Sequence, residues 1–169
     1  MAIVSSAERA EAAAGRASAI QLRMPGSSAR DLETEAQRVR SRVRLPLIVS
    51  DRIDVAAAVG AAGVNLPESG LPVSAARRIL ASGVVGRSVH SIDSALRAQG
   101  EGCDYVIFGP VRPTTSHPEQ AAQGWDRLGE VAAALSIPVI AIGGLGESDL
   151  AHCLELGAAG FAAIGYFEP

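Results

Sequence analysis

A chain of 169 residues, 48% of them hydrophobic, is long enough for one domain with a substantial core, and its net charge of −3 argues against a general polyanion binder. Aromatic residues are only 4%, which suits helices packed on a sheet rather than stacking on nucleic-acid bases, and no apolar run is long enough to span a membrane. All fifteen basic residues are arginine, so Schiff-base chemistry and a P-loop lysine are excluded, and acid–base work falls to Asp, Glu, His, Cys or Tyr.

One pattern then repeats: a short apolar strand, a glycine or polar loop, and an alanine-rich helix. The first strand is either residues 2–5 or missing. Strand 19–23 follows, then a helix over 28–42 that starts at Ser27 or Ser28. Strand 45–49 leads to helix 53–60, strand 63–66 to helix 73–82, and strand 84–88 to helix 92–99, which Ser91 precedes. Strand 104–109, helix 125–135, strand 138–142, helix 147–156 and strand 160–164 complete the series. Gly60-Ala-Ala-Gly-Val and Gly157-Ala-Ala-Gly-Phe echo one another, each a helix-stop glycine followed directly by a strand. Strands 138–142 and 160–164 are apolar at every position, the habit of parallel strands buried on both faces. Regular strand–helix units favour an α/β fold, a (β/α)8 TIM barrel, over a flavodoxin-like open sheet. The barrel is expected to be one domain over 1–169, short for its class, with the helix after the last strand missing. Cys103 and Cys153 lack metal or redox spacing and fit buried, reduced thiols in a cytoplasmic protein with no evident secretory leader.

Sites in such barrels lie at the C-terminal ends of the strands. Glycines there let the backbone approach a ligand and aim N–H groups at an anion, which makes Gly143, Gly144 and Gly165 a candidate phosphate seat. Arg23, at a strand exit, can clamp phosphate bidentately or close a salt bridge around the mouth. Asp51 can be a Mg2+ ligand, a general base, or the cap of the helix beginning near Ile53. Ser88 ends its strand inside the ring. His90, beside the capping Ser91, is expected to point sideways into packing. The loop from Gly109 to Pro118 groups Thr114, Ser116 and His117 after an apolar strand, which suits phosphate binding and proton transfer, unless the loop simply faces solvent. His152 lies within helix 147–156, far from the mouth, and reads as structural.

In order and spacing, several motifs resemble the thiamine phosphate synthase and TenI superfamily: Ile20-Gln-Leu-Arg23, Asp51-Arg-Ile-Asp-Val-Ala56, Gly63-Val-Asn-Leu-Pro67, Gly86-Arg-Ser-Val-His-Ser91, Asp104-Tyr-Val-Ile-Phe-Gly-Pro-Val111, Pro113-Thr114, and the strand from Ile137 to Gly144. The resemblance implies a barrel whose closing glycines bind the phosphate of a thiazole phosphate. It also exposes departures from the synthases: Pro25 and His117 stand where they carry lysines, Ser50-Asp51 replaces an Asn-Asp pair, and Gly70 falls at their second metal aspartate, with Glu68 nearby but out of register.

These losses weaken the pyrophosphate and metal machinery, so the favoured expectation is TenI-like thiazole tautomerase chemistry with no cofactor. In that reading Gln21 holds the substrate and His117 shuttles the proton, and Arg23, Asp51, Ser88, Thr114 and Ser116 line it. The histidine of tautomerases directly after the strand-six glycine aligns with Pro110 instead. One alternative is a synthase joining a pyrimidine pyrophosphate to thiazole phosphate, with Mg2+ on Asp51. The other is a non-catalytic ligand-binding member of the family. The expected partner is a phosphorylated thiazole, with no nucleic acid and no membrane; a second copy of the chain is the candidate cover for the open barrel side.

Overall fold

The computed structural model describes residues 1–114 and 121–167. Eight parallel strands lie in strictly sequential order: β1 (Ala2–Val4), β2 (Ile20–Leu22), β3 (Leu47–Ser50), β4 (Gly63–Leu66), β5 (Val84–Val89), β6 (Tyr105–Phe108), β7 (Val139–Ile142) and β8 (Gly160–Ala162). The ring closes through a parallel bridge between Ala2 and Ala163, where the Ile3 amide donates to the Ala163 carbonyl at 2.9 Å. This is a (β/α)8 barrel, and the first strand is present. Among the described residues no α-helix follows β8; Gly165–Phe167 forms a single 3-10 turn.

Among the described residues seven α-helices alternate with the strands: α1 (Ala7–Ala13), α2 (Ala29–Arg42), α3 (Ile53–Ala58), α4 (Val73–Ile79), α5 (Ile92–Gly100), α6 (Trp125–Ala134) and α7 (Leu150–Glu155). The first was not expected from the sequence. Ser6 caps it by accepting from the Arg9 amide, and Ala7, Ala10 and Ala13 give it a narrow buried stripe at helical spacing. It packs on α2, where the Glu35 carboxylate accepts from the Ala7 amide and Glu8 pairs with Arg38 and Arg42. The helix expected over 147–156 is two pieces, a 3-10 turn Glu147–Asp149 and then α7, because Asp149 folds back to accept from the Gly146 amide at 3.0 Å.

Period-two alternation sorts each strand into two faces. One set, including Leu22, Val49, Val64, Val85, Val106 and Phe108, joins the helices in a continuous apolar core. The alternate set points into the barrel. On β4 to β6 it includes Gly86, and the Tyr105 ring fills the room that this glycine leaves: a Cβ at Gly86 would lie 2.0 Å from Tyr105 Cζ. Further up, the interior divides. Gln21, Ser50, Asn65 and Ser88 are polar, whereas Ile3, Ile107, Ile142 and Ala162 are apolar. The barrel mouth therefore has a polar half over β2–β5 and an apolar half over β6–β1.

Candidate active site

Two joined cavities open at the C-terminal ends of the strands. The larger, about 750 Å³, runs from Gln21, Arg23 and His90 across to the glycines after β7 and β8. The smaller, about 350 Å³, lies over β2–β4 and is bounded by Met24, Asp51 and Asn65; it shares Gln21, Arg23, Pro67 and Ser88 with the first.

The polar half is built by cross-strand pairing. The register sets Ser50 beside Asn65, and the side chains bond in two pairs: Gln21 Nε2 donates to Ser50 Oγ at 2.8 Å, and Asn65 Nδ2 donates to Ser88 Oγ at 3.0 Å. Gln21 and Asn65 are each 3% exposed, and their carbonyl oxygens, Oε1 and Oδ1, have no partner. Two buried acceptors left unpaired at a cavity call for a donor from a ligand or water. Gln21 was expected here. Ser50 and Asn65 also stand at strand ends in the sequence, but which side chains bond to one another follows from the register.

Arg23 is exposed at the β2 exit and lines both cavities, and among the described residues it makes no salt bridge. A ring of salt bridges around the mouth is thus not what positions it. Asp51 follows β3 with φ of 63°, a left-handed backbone uncommon for a residue with a side chain. That conformation rules out the cap expected of it, since a capping residue needs extended backbone. The residue at the cap is Arg52, which makes no capping bond and binds Asp54 with its guanidinium instead. Asp51 is left exposed beside the smaller cavity, its carboxylate unpaired among the described residues.

On the apolar half, Gly143 and Gly144 have φ of 104° and 63°. A Cβ at Gly143 would lie 2.6 Å from Pro110 Cα, and one at Gly144 would lie 2.5 Å from the Pro113 carbonyl oxygen. Only glycine fits either place. Gly165 faces open space and lines the same cavity. The amides of Gly144 and Gly165 meet no acceptor among the described residues, and both glycines line the larger cavity, which leaves a seat of backbone donors there. Asp149 borders it, bound to Arg112 at 3.1 Å. Tyr166 forms a side wall, its hydroxyl donating to Glu147 at 3.0 Å and its ring lying 5.2 Å beneath the Arg16 guanidinium.

His90 does not turn into packing. It lines the larger cavity half-exposed, and its Nδ1 lies 2.7 Å from Glu68 Oε2. Burial opposes ionisation of Glu68, but hydrogen bonds from Ser94 and His90 and the nearby imidazole charge outweigh it and hold the carboxyl below its ordinary value. Buried Arg87 braces the loop behind, donating to the carbonyls of Glu68 and Leu71 and approaching Glu101. Glu68 and His90 are 22 positions apart, so their meeting required the β4–β5 register.

Thr114 lines the larger cavity, and Ser88 lines both. Ser116 and His117 lie outside the described residues. Pro110 stands in the cavity wall immediately after β6, joined to Gly109 by a cis peptide bond. His152 sits on α7, its ring 4.7 Å from that of Trp125. Cys103 and Cys153 are buried and free, and burial pushes both thiols up, which keeps them protonated and inert. Among the described residues no helix is long and apolar enough to cross a membrane, and no group of three His, Cys, Asp or Glu could hold a metal ion.

The family model described as thiamine monophosphate synthase matches residues 4–167. The chain is 39% identical over 154 residues to a protein named thiamine-phosphate synthase from Chloroflexus aurantiacus, covering 89% of this chain and 71% of that one. It is 42% identical over 158 residues to one of the same name from Methanoculleus marisnigri, covering 90% and 75%. Among solved structures, the thiamine phosphate pyrophosphorylase from Pyrococcus furiosus superposes with a TM-score of 0.86 at 32% identity, over 97% of this chain and 84% of the other.

Proposed function

The chain belongs to the thiamine monophosphate synthase family, and on that premise we propose that it joins a pyrimidine pyrophosphate to a thiazole phosphate. The names of its relatives favour this coupling over the tautomerase chemistry expected from the lost lysines. The observation that carries the reading is the pair of joined cavities. A tautomerase handles one substrate. Here a glycine-lined seat and a separate polar arm meet at Gln21, Arg23, Pro67 and Ser88, an arrangement suited to two substrates held end to end.

In this reading the amides at Gly144 and Gly165 hold the thiazole phosphate, and Ile142, Leu145 and Tyr166 cover its heterocycle. The orphaned oxygens of Gln21 and Asn65 accept from the amino group of the pyrimidine and fix its plane. Arg23, lining both cavities, screens the charge on the departing pyrophosphate. Asp51 is the residue that fits a Mg2+ ion: an unpaired carboxylate beside the polar arm, which as a single protein ligand depends on pyrophosphate oxygens to complete the coordination. When bound, the ion supplies neutralisation of the leaving group.

The test follows thiamine phosphate by NMR after the protein is mixed with both substrates and Mg2+. Product that requires both substrates supports the coupling. Aromatisation of the thiazole carboxylate phosphate tautomer by the protein alone, with no coupling, overturns it in favour of a tautomerase; saturable binding with neither product marks a binding protein.

A further inference from the structure

The Glu68–His90 pair is not needed to bind either substrate in the reading above, yet it faces the cavity where they meet. Its geometry is that of a carboxylate orienting an imidazole: Nδ1 is committed to Glu68 at 2.7 Å, which leaves Nε2 as the ring nitrogen free to serve the cavity. The pair is also built. Ser94 Oγ accepts from the His90 amide at 3.3 Å, and buried Arg87 pins the carbonyl of Glu68 from behind. A chain without lysine has no ammonium to place against a leaving pyrophosphate, and arginine does not give up a proton at neutral pH. An imidazolium does.

We propose that His90, oriented by Glu68, is the general acid of the coupling, giving its Nε2 proton to the departing pyrophosphate. The C–O bond to pyrophosphate breaks with its electron pair leaving on oxygen, the thiazole nitrogen forms the new C–N bond, and the proton passes from imidazolium to pyrophosphate. Solvent restores the imidazolium before the next turnover. Glu68 is a positioning residue, fixing the orientation of the ring through its contact with Nδ1. Among the described residues the other charged or titratable groups lining this cavity are Arg23, Asp149 and Tyr166; Asp149 is held by Arg112, and the Tyr166 hydroxyl by Glu147.

This inference rests on the coupling reading, so its test has one readout that does not need turnover. The ring protons of the three histidines are titrated by NMR with and without inorganic pyrophosphate, His90 being assigned from His90→Gln. Pyrophosphate is expected to raise the His90 midpoint while leaving His152 in place. A His90 midpoint indifferent to pyrophosphate overturns the proposal. In the coupling assay His90→Gln is expected to cut kcat by roughly a hundredfold with little change in either KM, and to abolish the fall in kcat at alkaline pH. Unchanged kcat and an unchanged alkaline limb also overturn it. Absence of product from the wild-type protein would instead sink the coupling reading, with the titration still legible.

Discussion

Gly144 meets Pro113 across the barrel mouth so closely that a methyl group on the glycine would sit 2.5 Å from the proline carbonyl oxygen. The contact ties the β7 exit to the β6 loop and keeps the seat of backbone donors bare. Gly144→Ala combines that clash with a left-handed backbone at φ 63°, a strain on the order of 1–3 kcal/mol. We expect the variant to lose affinity for thiazole phosphate by more than roughly tenfold. Calorimetric titration against wild type checks this, and unchanged affinity would place the phosphate elsewhere.

Asp51 holds a conformation that glycine adopts freely, and among the described residues its carboxylate makes no hydrogen bond or salt bridge. Asp51→Gly is therefore expected to raise stability by about 1 kcal/mol while abolishing Mg2+-dependent turnover. Urea unfolding and the coupling assay measure the two effects separately. A variant both less stable and fully active would show that Asp51 serves the fold.

Gln21→Leu removes the buried oxygen that lacks a partner and frees the Ser50 hydroxyl. Loss of the bond and loss of the orphan nearly cancel, so stability should stay within about 1 kcal/mol of wild type. kcat/KM should fall by roughly a hundredfold if Gln21 receives a donor from the substrate. Steady-state kinetics at varied pyrimidine pyrophosphate decides it.

Gly86→Ala tests the barrel floor. With the added carbon 2.0 Å from Tyr105 Cζ, the buried ring must move, and overpacking of this kind costs about 1–3 kcal/mol. Thermal unfolding reads the loss directly. Gly86→Ala combined with Tyr105→Phe should recover little of it, because the clash is with the ring and not the hydroxyl.

Acid sensitivity should run partly through Glu68. Its folded-state carboxyl lies below the ordinary value of 4.5, so its contribution to stability is present above that value and is lost as pH falls through the folded one. Glu68→Gln is expected to flatten the acid limb of the stability profile below pH 4.5 and leave the neutral region's shape unchanged. Urea midpoints from pH 3 to 7 would show it; an identical acid limb in both proteins refutes it.

Much of this architecture can be read from residue order. Apolar strands ending in glycine announce both the parallel barrel and the close backbone approach at Gly143 and Gly144, because conformation and crowding restrict those positions to one residue type. A strand over residues 2–5 is uncertain from sequence, since three apolar residues carry little periodicity and only pairing with β2 and the Ala163 bridge defines β1. Helix α1 escaped notice because alanine supplies its entire buried stripe. The polar half of the mouth was the least legible. Gln21–Ser50, Asn65–Ser88 and Glu68–His90 join strands or loops 22 to 29 positions apart, and only the barrel's stagger decides which polar residues meet.

The seam between β8 and β1 sets one more property of the molecule. Every other ladder in the ring has three or four registered pairs, whereas this joint has a single bridge, Ala2–Ala163. A hoop is as stiff as its weakest joint, and this one lies beside Gly165. An anion gripped by Gly144 and Gly165 would brace the strand ends next to the gap. Occupancy and closure then become linked equilibria, each favouring the other by the same factor. Hydrogen exchange at the Ile3 and Ala163 amides would slow as the seat fills, so the hoop itself would report its cargo.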